Sequence, residues 1–300
     1  MRVVSVLPSA TETVFALGHG SDLVGRSSEC DYPEAARHLP AVMRPRTWDA
    51  HASSAAIDRR VRTARAENES LYVLDIPLLR DLRPDVLLTQ DLCGVCSVTG
   101  PEVQAACADA GVRPEVVSLT PRNLEEVWSS IETVGRALDD PTAGRTLATN
   151  LRSRTRRHRK IANPRVAVME WLDPPILAGL WVPEMIEAAG ATPLGPLSGE
   201  PGRRTTWAAV ASERPDLVVL SPCSFSVHRT RAEFADTALR YEVARCKGAA
   251  FGTYVADEAY FSRPGPRLAD GVDLLRHLLD REDWVPPMPV VPLSSAEAPA

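Results

Sequence analysis

The sharpest chemical signal in the chain is Cys93-Gly94-Val95-Cys96. Two cysteines three apart on a loop can aim both sulfurs at one metal ion, with the glycine allowing a tight turn. The same spacing serves a redox pair, because thiolate pKa values fall in this motif. Cys30 and Cys223 lie on other segments that follow strand-like runs, so a metal set of Cys30, Cys93, Cys96 and Cys223 is expected, holding zinc, iron or an iron–sulfur cluster. A cluster of reactive thiols and plainly packed thiols are the alternatives. Cys107 fits a helical core pattern with Val103 and Ala110, and Cys246 lies in a polar stretch. The six histidines make no HxxxH set, so a histidine-only metal site is not expected.

Glu170 follows an apolar run beside Trp171, with Asp173 close behind. A carboxylate there can serve as a metal ligand or a general acid/base, and equally as a helix cap or an arginine's partner. Glu170 is the candidate catalytic residue. Trp171 and Trp181 can stack on a flat ligand or fill a core. The run Tyr260 to Arg267 precedes the last helix, whose N-terminus with Arg263 could receive an anion; the alternative is Arg263 and Arg267 pairing with acidic neighbours. Pro8, Ser9 and Gln90 also sit where strands end, so the ligand-binding candidates are Pro8, Ser9, Gln90, Trp171, Trp181, Tyr260 and Arg263.

The elements that must carry these residues alternate strand and helix. Val3–Leu7 reads as a strand, and Ser9 to Glu12 as a capped helix start ending before Gly18. Further strands are expected at 23–25, 86–89 and 116–119, and helices at about 53–66 and 101–110. Residues 123–162 read as almost all helix, restarting at Asp140-Pro141. Residues 141–162 would form one helix about 30 Å long, whose terminal arginines read as a solvated face. The strand–helix logic then repeats, with strands at 165–169, 217–220 and 250–255, a loop at 170–175, and helices at 182–189 and 266–279. The fold class is therefore α/β: two Rossmann-like lobes joined by a long backbone helix. The expected division is 1–122, 123–163, 164–284 and a disordered tail at 285–300. Ligands of open α/β sheets bind outside the carboxyl ends of the strands, so a cleft between the lobes is the expected site.

Bulk properties narrow the partners. Three hundred residues with 44% hydrophobic and 24% charged side chains are an ordinary globular composition. The net charge of −5 gives no basic field for nucleic acid. No run approaches the ~18 apolar residues of a membrane span, and the short apolar opening lacks the features of a signal peptide. A cytoplasmic location is the resulting expectation.

Three segments carry a family resemblance: Val4-Ser5-Val6-Leu7-Pro8-Ser9-Ala10-Thr11-Glu12, Glu29-Cys30-Asp31-Tyr32-Pro33, and Tyr260 to Leu268 with Asp270-Gly271. They resemble the cobalamin-binding-protein-like branch of the class III substrate-binding proteins of ABC transporters. The resemblance covers about residues 1–282. It implies two α/β lobes bridged by a helix and a ligand such as cobalamin, a siderophore, haem or a metal ion. It also implies that Cys30, Cys93, Cys96 and the Glu170-Trp171 segment have counterparts in the branch. Leu180 departs from it, standing where the Ala-Gly-His-Trp pattern has a histidine. Importer docking is not expected without a leader. The function expected is cleft-type binding of cobalamin or a related metal chelate; the alternative is a metalloenzyme on the same scaffold.

Overall fold

The structure, a computed structural model, describes residues 1–47, 49, 52–67, 69–91, 98–157, 163–234, 236–246, 250–280 and 284–293. The chain divides into two compact α/β units. One comprises Met1–Ala52, Arg59–Pro121 and Glu125–Arg152; the other comprises Ser53–Asp58, Arg122–Leu124 and Ser153–Ala300.

The first unit is built on a six-stranded sheet. Its strands are β1 (Val3–Ser5), β2 (Leu23–Ser27), β3 (Ala41–Pro45), β4 (Tyr72–Leu74), β5 (Val86–Thr89) and β6 (Glu115–Ser118), in the order β4-β3-β2-β1-β5-β6. All neighbours are parallel except β3 and β4. The helices are α1 (Pro8–Ala16), α2 (Ser54–Ala66, the second unit holding its residues up to Asp58), α3 (Ile76–Leu82), α4 (Gly100–Ala110), α5 (Leu124–Ala137, with Leu124 in the second unit) and α6 (Pro141–Arg154, with Ser153 and Arg154 in the second unit). The central strands β1 and β5 are buried at every position, which explains their unbroken apolar reading. Val4, Val42, Leu79, Leu87, Val103 and Cys107 belong to the core of this unit.

The second unit has a seven-stranded sheet. It contains β7 (Arg165–Leu172), β8 (Pro175–Leu177), β9 (Thr192–Pro193), β10 (Arg203–Arg204), β11 (Leu217–Leu220), β12 (Gly252–Ala256) and β13 (Val290–Pro292). Its order is β10-β8-β7-β11-β12-β13, with β9 also paired to β7. Strands β7, β11 and β12 are parallel, whereas β8, β10 and β13 run antiparallel to their neighbours. The helices are α7 (Val182–Ala188), α8 (Trp207–Ser212), α9 (Val227–Glu233), α10 (Thr237–Ala244) and α11 (Leu268–Asp280). Among the described residues no helix is long and apolar enough to cross a membrane.

Four local expectations are corrected. Helix α1 starts at Pro8, with Leu7 as its cap residue and no side-chain cap, so Ser9 lies inside the helix. Proline at the first turn needs no N–H partner and presets the helical φ. The helix begun at Pro141 ends at Arg154, about 21 Å at 1.5 Å per residue, rather than reaching Ala162; residues 158–162 lie outside the described residues. Its end is claimed by other groups: Arg276 donates to the carbonyls of Arg154 and Arg156, and Arg154 pairs with Asp270 and Asp273. Glu170 and Trp171 are in strand β7, not in a loop after it. Finally, residues 284–293 are ordered. Strand β13 pairs antiparallel with β12, and the Tyr260 hydroxyl donates to the Met288 carbonyl at 2.7 Å. The prolines there suit an edge strand, which has N–H groups to spare. Residues 294–300 lie outside the described residues.

Candidate functional site

Each sheet has a point where its connections turn in opposite directions, and crevices open at the carboxyl ends of those strands. In the first sheet this point lies between β1 and β5. It presents Pro8 and Ser9 after β1, and Gln90 and Asp91 after β5. Pro8 and Gln90 are half-buried there, whereas Ser9 is buried. Asp91 accepts hydrogen bonds from the Gly100 amide at 2.6 Å and from the Ser118 hydroxyl. Those bonds tie Asp91 to the start of α4 and to the end of β6.

Cys30 faces inward. It is fully buried, and its sulfur accepts a hydrogen bond from Thr11 Oγ1 at 3.1 Å. Thr11 shares that one hydroxyl proton with Ser5 Oγ, 2.9 Å away, and Ser5 Oγ donates to the Leu7 carbonyl. This small polar network ties α1 to the loop after β2. That loop is also gathered by Arg26, whose guanidinium donates to the carbonyls of Ser27, Ser28, Arg37 and Leu39.

In the second sheet the turning point lies between β7 and β11. Glu170 sits on β7 and Cys223 follows β11. The two are joined by the Cys223 amide donating to the Glu170 carbonyl at 3.1 Å. The Glu170 carboxyl occupies a niche lined by glycine. Its Oε2 accepts the Gly179 amide at 3.3 Å, and a Cβ on Gly202 would lie 1.9 Å from Oε1. Gly179 itself has no room for a side chain, since a Cβ there would come within 2.4 Å of the Glu200 carbonyl oxygen. Desolvation pushes the Glu170 carboxyl up to about 7, with the Gly179 hydrogen bond opposing the shift.

Cys223 is exposed, yet the protein around it and the Glu258 and Glu170 charges raise its thiol. Water access moderates the size of that shift, and the thiol is protonated at neutral pH either way. Arg263 donates to Glu258 at 2.6 Å, and both side chains are largely buried. Two residues on these loops hold left-handed backbone, Leu180 at φ 53° and Ser224 at φ 62°. Strained non-glycine residues gather where function constrains the chain. Leu180 is kept there by a 2.6 Å hydrogen bond from its amide to the Glu200 carbonyl and by the Gly199 amide donating to its own carbonyl.

The remaining candidates divide. Trp171 is half-buried, tilted against Phe225 at 5.3 Å, and its Nε1 donates to the Ser54 carbonyl. Trp181 is 5% exposed with Nε1 donating to the Phe261 carbonyl at 2.7 Å, and the Tyr260 ring is fully buried. Both are core residues whose polar tips are already engaged. Cys107 and Cys246 are buried; the Cys246 thiol donates to the Trp207 carbonyl at 2.8 Å.

Of the expected metal set, Cys93 and Cys96 lie outside the described residues. Among the described residues no three His, Cys, Asp or Glu side chains come together to hold a metal ion. Within the first unit the Cys30 sulfur is engaged by Thr11. Sequence reasoning missed Gly179, Gly202 and Glu258. Glycines spaced around a candidate carboxylate were the available signal for the niche, and an acid five residues before Arg263 was the signal for the pair.

No protein-family model matches the chain, and no curated protein sequence matches it. Solved structures do. A periplasmic heme-binding protein from Pseudomonas aeruginosa is 23% identical, with a TM-score of 0.66, over 98% of this chain and 95% of its own. The periplasmic vitamin B12-binding protein BtuF of Vibrio cholerae is 19% identical, with a TM-score of 0.61, over 93% and 96% of the two chains. A protein of an ABC-type Fe3+-hydroxamate transport system from Saccharomonospora viridis is 19% identical, with a TM-score of 0.63, over 93% and 92%. These likenesses establish the two-unit α/β fold that the sequence resemblance implied. They also correct the cytoplasmic placement. The matched heme- and B12-binding proteins are periplasmic, and a short apolar opening does not outweigh that.

Proposed function

We propose that this protein is a substrate-binding protein for a metal chelate of the heme, corrinoid or ferric-siderophore class, working outside the cytoplasm as its periplasmic fold relatives do. The observation that carries the proposal is what gathers where the second sheet's connections diverge: the half-buried, sparsely partnered Glu170 carboxyl, the exposed Cys223 thiol, and the left-handed backbone of Leu180 and Ser224. Side chains at that point of an open α/β sheet are where ligands are met. Pro8, Ser9 and Gln90 hold the equivalent place in the first sheet. Trp171 and Arg263 complete the assigned set, Trp171 offering an aromatic edge and Arg263 a guanidinium held by Glu258. The chelated metal is cargo in this reading, and Glu170 is a recognition group.

The test is titration of the full chain with hemin, cyanocobalamin and a ferric hydroxamate. Visible absorbance and the fluorescence of the six tryptophans are followed. One of the three is expected to give a saturable change at one ligand per chain, with a Kd of about 1 μM or tighter. No saturable response to any of them overturns the proposal.

A further inference from the structure

The Glu170 carboxyl is built into the fold and left short of partners. Strand β7 delivers it to the carboxyl end of the sheet, and two glycines make the space it fills. A Cβ at 202 would overlap Oε1 and the carboxyl carbon, at 1.9 and 2.5 Å. Gly179 contributes its amide to Oε2, and only at 3.3 Å. Among the described residues no Lys, Arg or His pairs with Glu170, and Oε1 accepts no hydrogen bond. Oε1 is also not one of the fully buried orphan atoms, which among the described residues lie on Thr230, Arg240 and Arg276. An ionised carboxylate offers about four acceptor positions, and burial without partners disfavours the charge. The Arg263 guanidinium, which like Glu170 acts on the Cys223 thiol, is committed to Glu258. The polar groups gathered here therefore present acceptors and a neutral thiol, with the cationic charge already matched.

We propose that Glu170 is the specificity-determining residue of this site: its open oxygen accepts a hydrogen bond from an N–H group of the ligand, an amide or an ammonium, and rejects a ligand that places a carboxylate there. This rests on the chelate-binding reading above and sharpens it. A donor N–H supplies the partner that Gly179 alone does not. A ligand carboxylate would bring like charge against a partly desolvated carboxylate, an arrangement that suppresses binding.

Matched ligand pairs test this on the full chain. One pair is cyanocobalamin, with its peripheral amides, and the same corrinoid with one side-chain amide hydrolysed to the acid. The other is a porphyrin bis-amide iron complex and hemin, which carries two propionates. At pH 8 the wild type is expected to bind the amide member of at least one pair about tenfold or more tightly than the acid member. Glu170→Gln, close in shape and neutral, is expected to bring that ratio to within about twofold. Equal affinities in the wild type, or an unchanged ratio in Glu170→Gln, overturn the inference while leaving chelate binding intact. Binding of ferric hydroxamate but neither pair has the same meaning. No binding of any of these ligands overturns both.

Discussion

Glu170 couples the protein's stability to pH in the direction opposite to that of a salt-bridged acid. Its folded value of about 7 lies above the ordinary 4.5 because burial disfavours the charge. Below about pH 4.5 both folded and unfolded states hold the proton, and the group contributes nothing. Between about 4.5 and 7 the unfolded chain releases its proton first, so stability falls as pH rises; above about 7 the penalty is complete. Glu170→Gln removes it. The variant is expected to match wild type near pH 4 and to exceed it by about 2 kcal/mol at pH 8, an amount already discounted for the group's contact with water. Urea denaturation at the two pH values is the check, and an equal difference at both would show that desolvation of this carboxyl is not the cause. Glu170 itself was legible in the sequence as an acid after an apolar run. Its niche was not, because Gly179 and Gly202 are brought to it by the hairpin and return of β8 and β10. Cys30 was legible as a residue near a strand end but not in its orientation. Only the partners Ser5 and Thr11 reveal that its thiol belongs to the core.

Elements with long apolar runs could be read directly, and β5 and β11 fall where the periodicity put them. Two- and three-residue strands such as β4, β9 and β10 could not, since their pattern is too short to distinguish from a turn. Strand β13 was hidden by its prolines, which are compatible with an edge and not with an interior strand. The helix begun at Pro141 was overextended because the arginines after Arg154 continue a helix-favouring composition. Tertiary bonds end it instead. Arg276 is the main agent: its guanidinium donates to the carbonyls of Arg154, Arg156 and Ala188 and to Asp273. Arg276→Ala takes this donor from the Arg154, Arg156 and Ala188 carbonyls, while Asp273 keeps Arg154, and is expected to cost about 2 kcal/mol. Arg276→Lys should recover only part of this, since one ammonium does not span the same fork. A shift in the urea midpoint worth less than about 0.5 kcal/mol for the alanine variant would remove Arg276 from this role.

At the scale of the molecule, each unit has its own hydrophobic core, one around Val4, Leu87 and Val103 and the other around Met169, Leu177 and Val218. Each also holds a buried thiol that can report on its own opening, Cys30 in the first and Cys246 in the second. Alkylation during denaturant titration is therefore expected to label Cys30 and Cys246 at separate midpoints, as two-unit proteins commonly unfold. Cys223, being exposed, labels in the native state. Coincident midpoints for Cys30 and Cys246 would mean a single cooperative unit. The two-unit architecture was legible in the sequence because strand–helix alternation repeats after the helical stretch. The ligand was not, since acceptors and donors count only once the sheets have placed them.

The last ordered strand has a consequence for the order in which the molecule can be made. The first sheet is complete in strands once residue 118 has been synthesised. The second is different: β12 gains its outer neighbour only when residues 290–292 emerge, and Tyr260 waits for Met288. Domains commonly fold as units from the N-terminus during synthesis. A nascent chain can thus close its first sheet early, whereas its second keeps a bare edge until residue 292 has emerged. Stalled or prematurely terminated products would carry that edge into the cell, open to pairing with another strand.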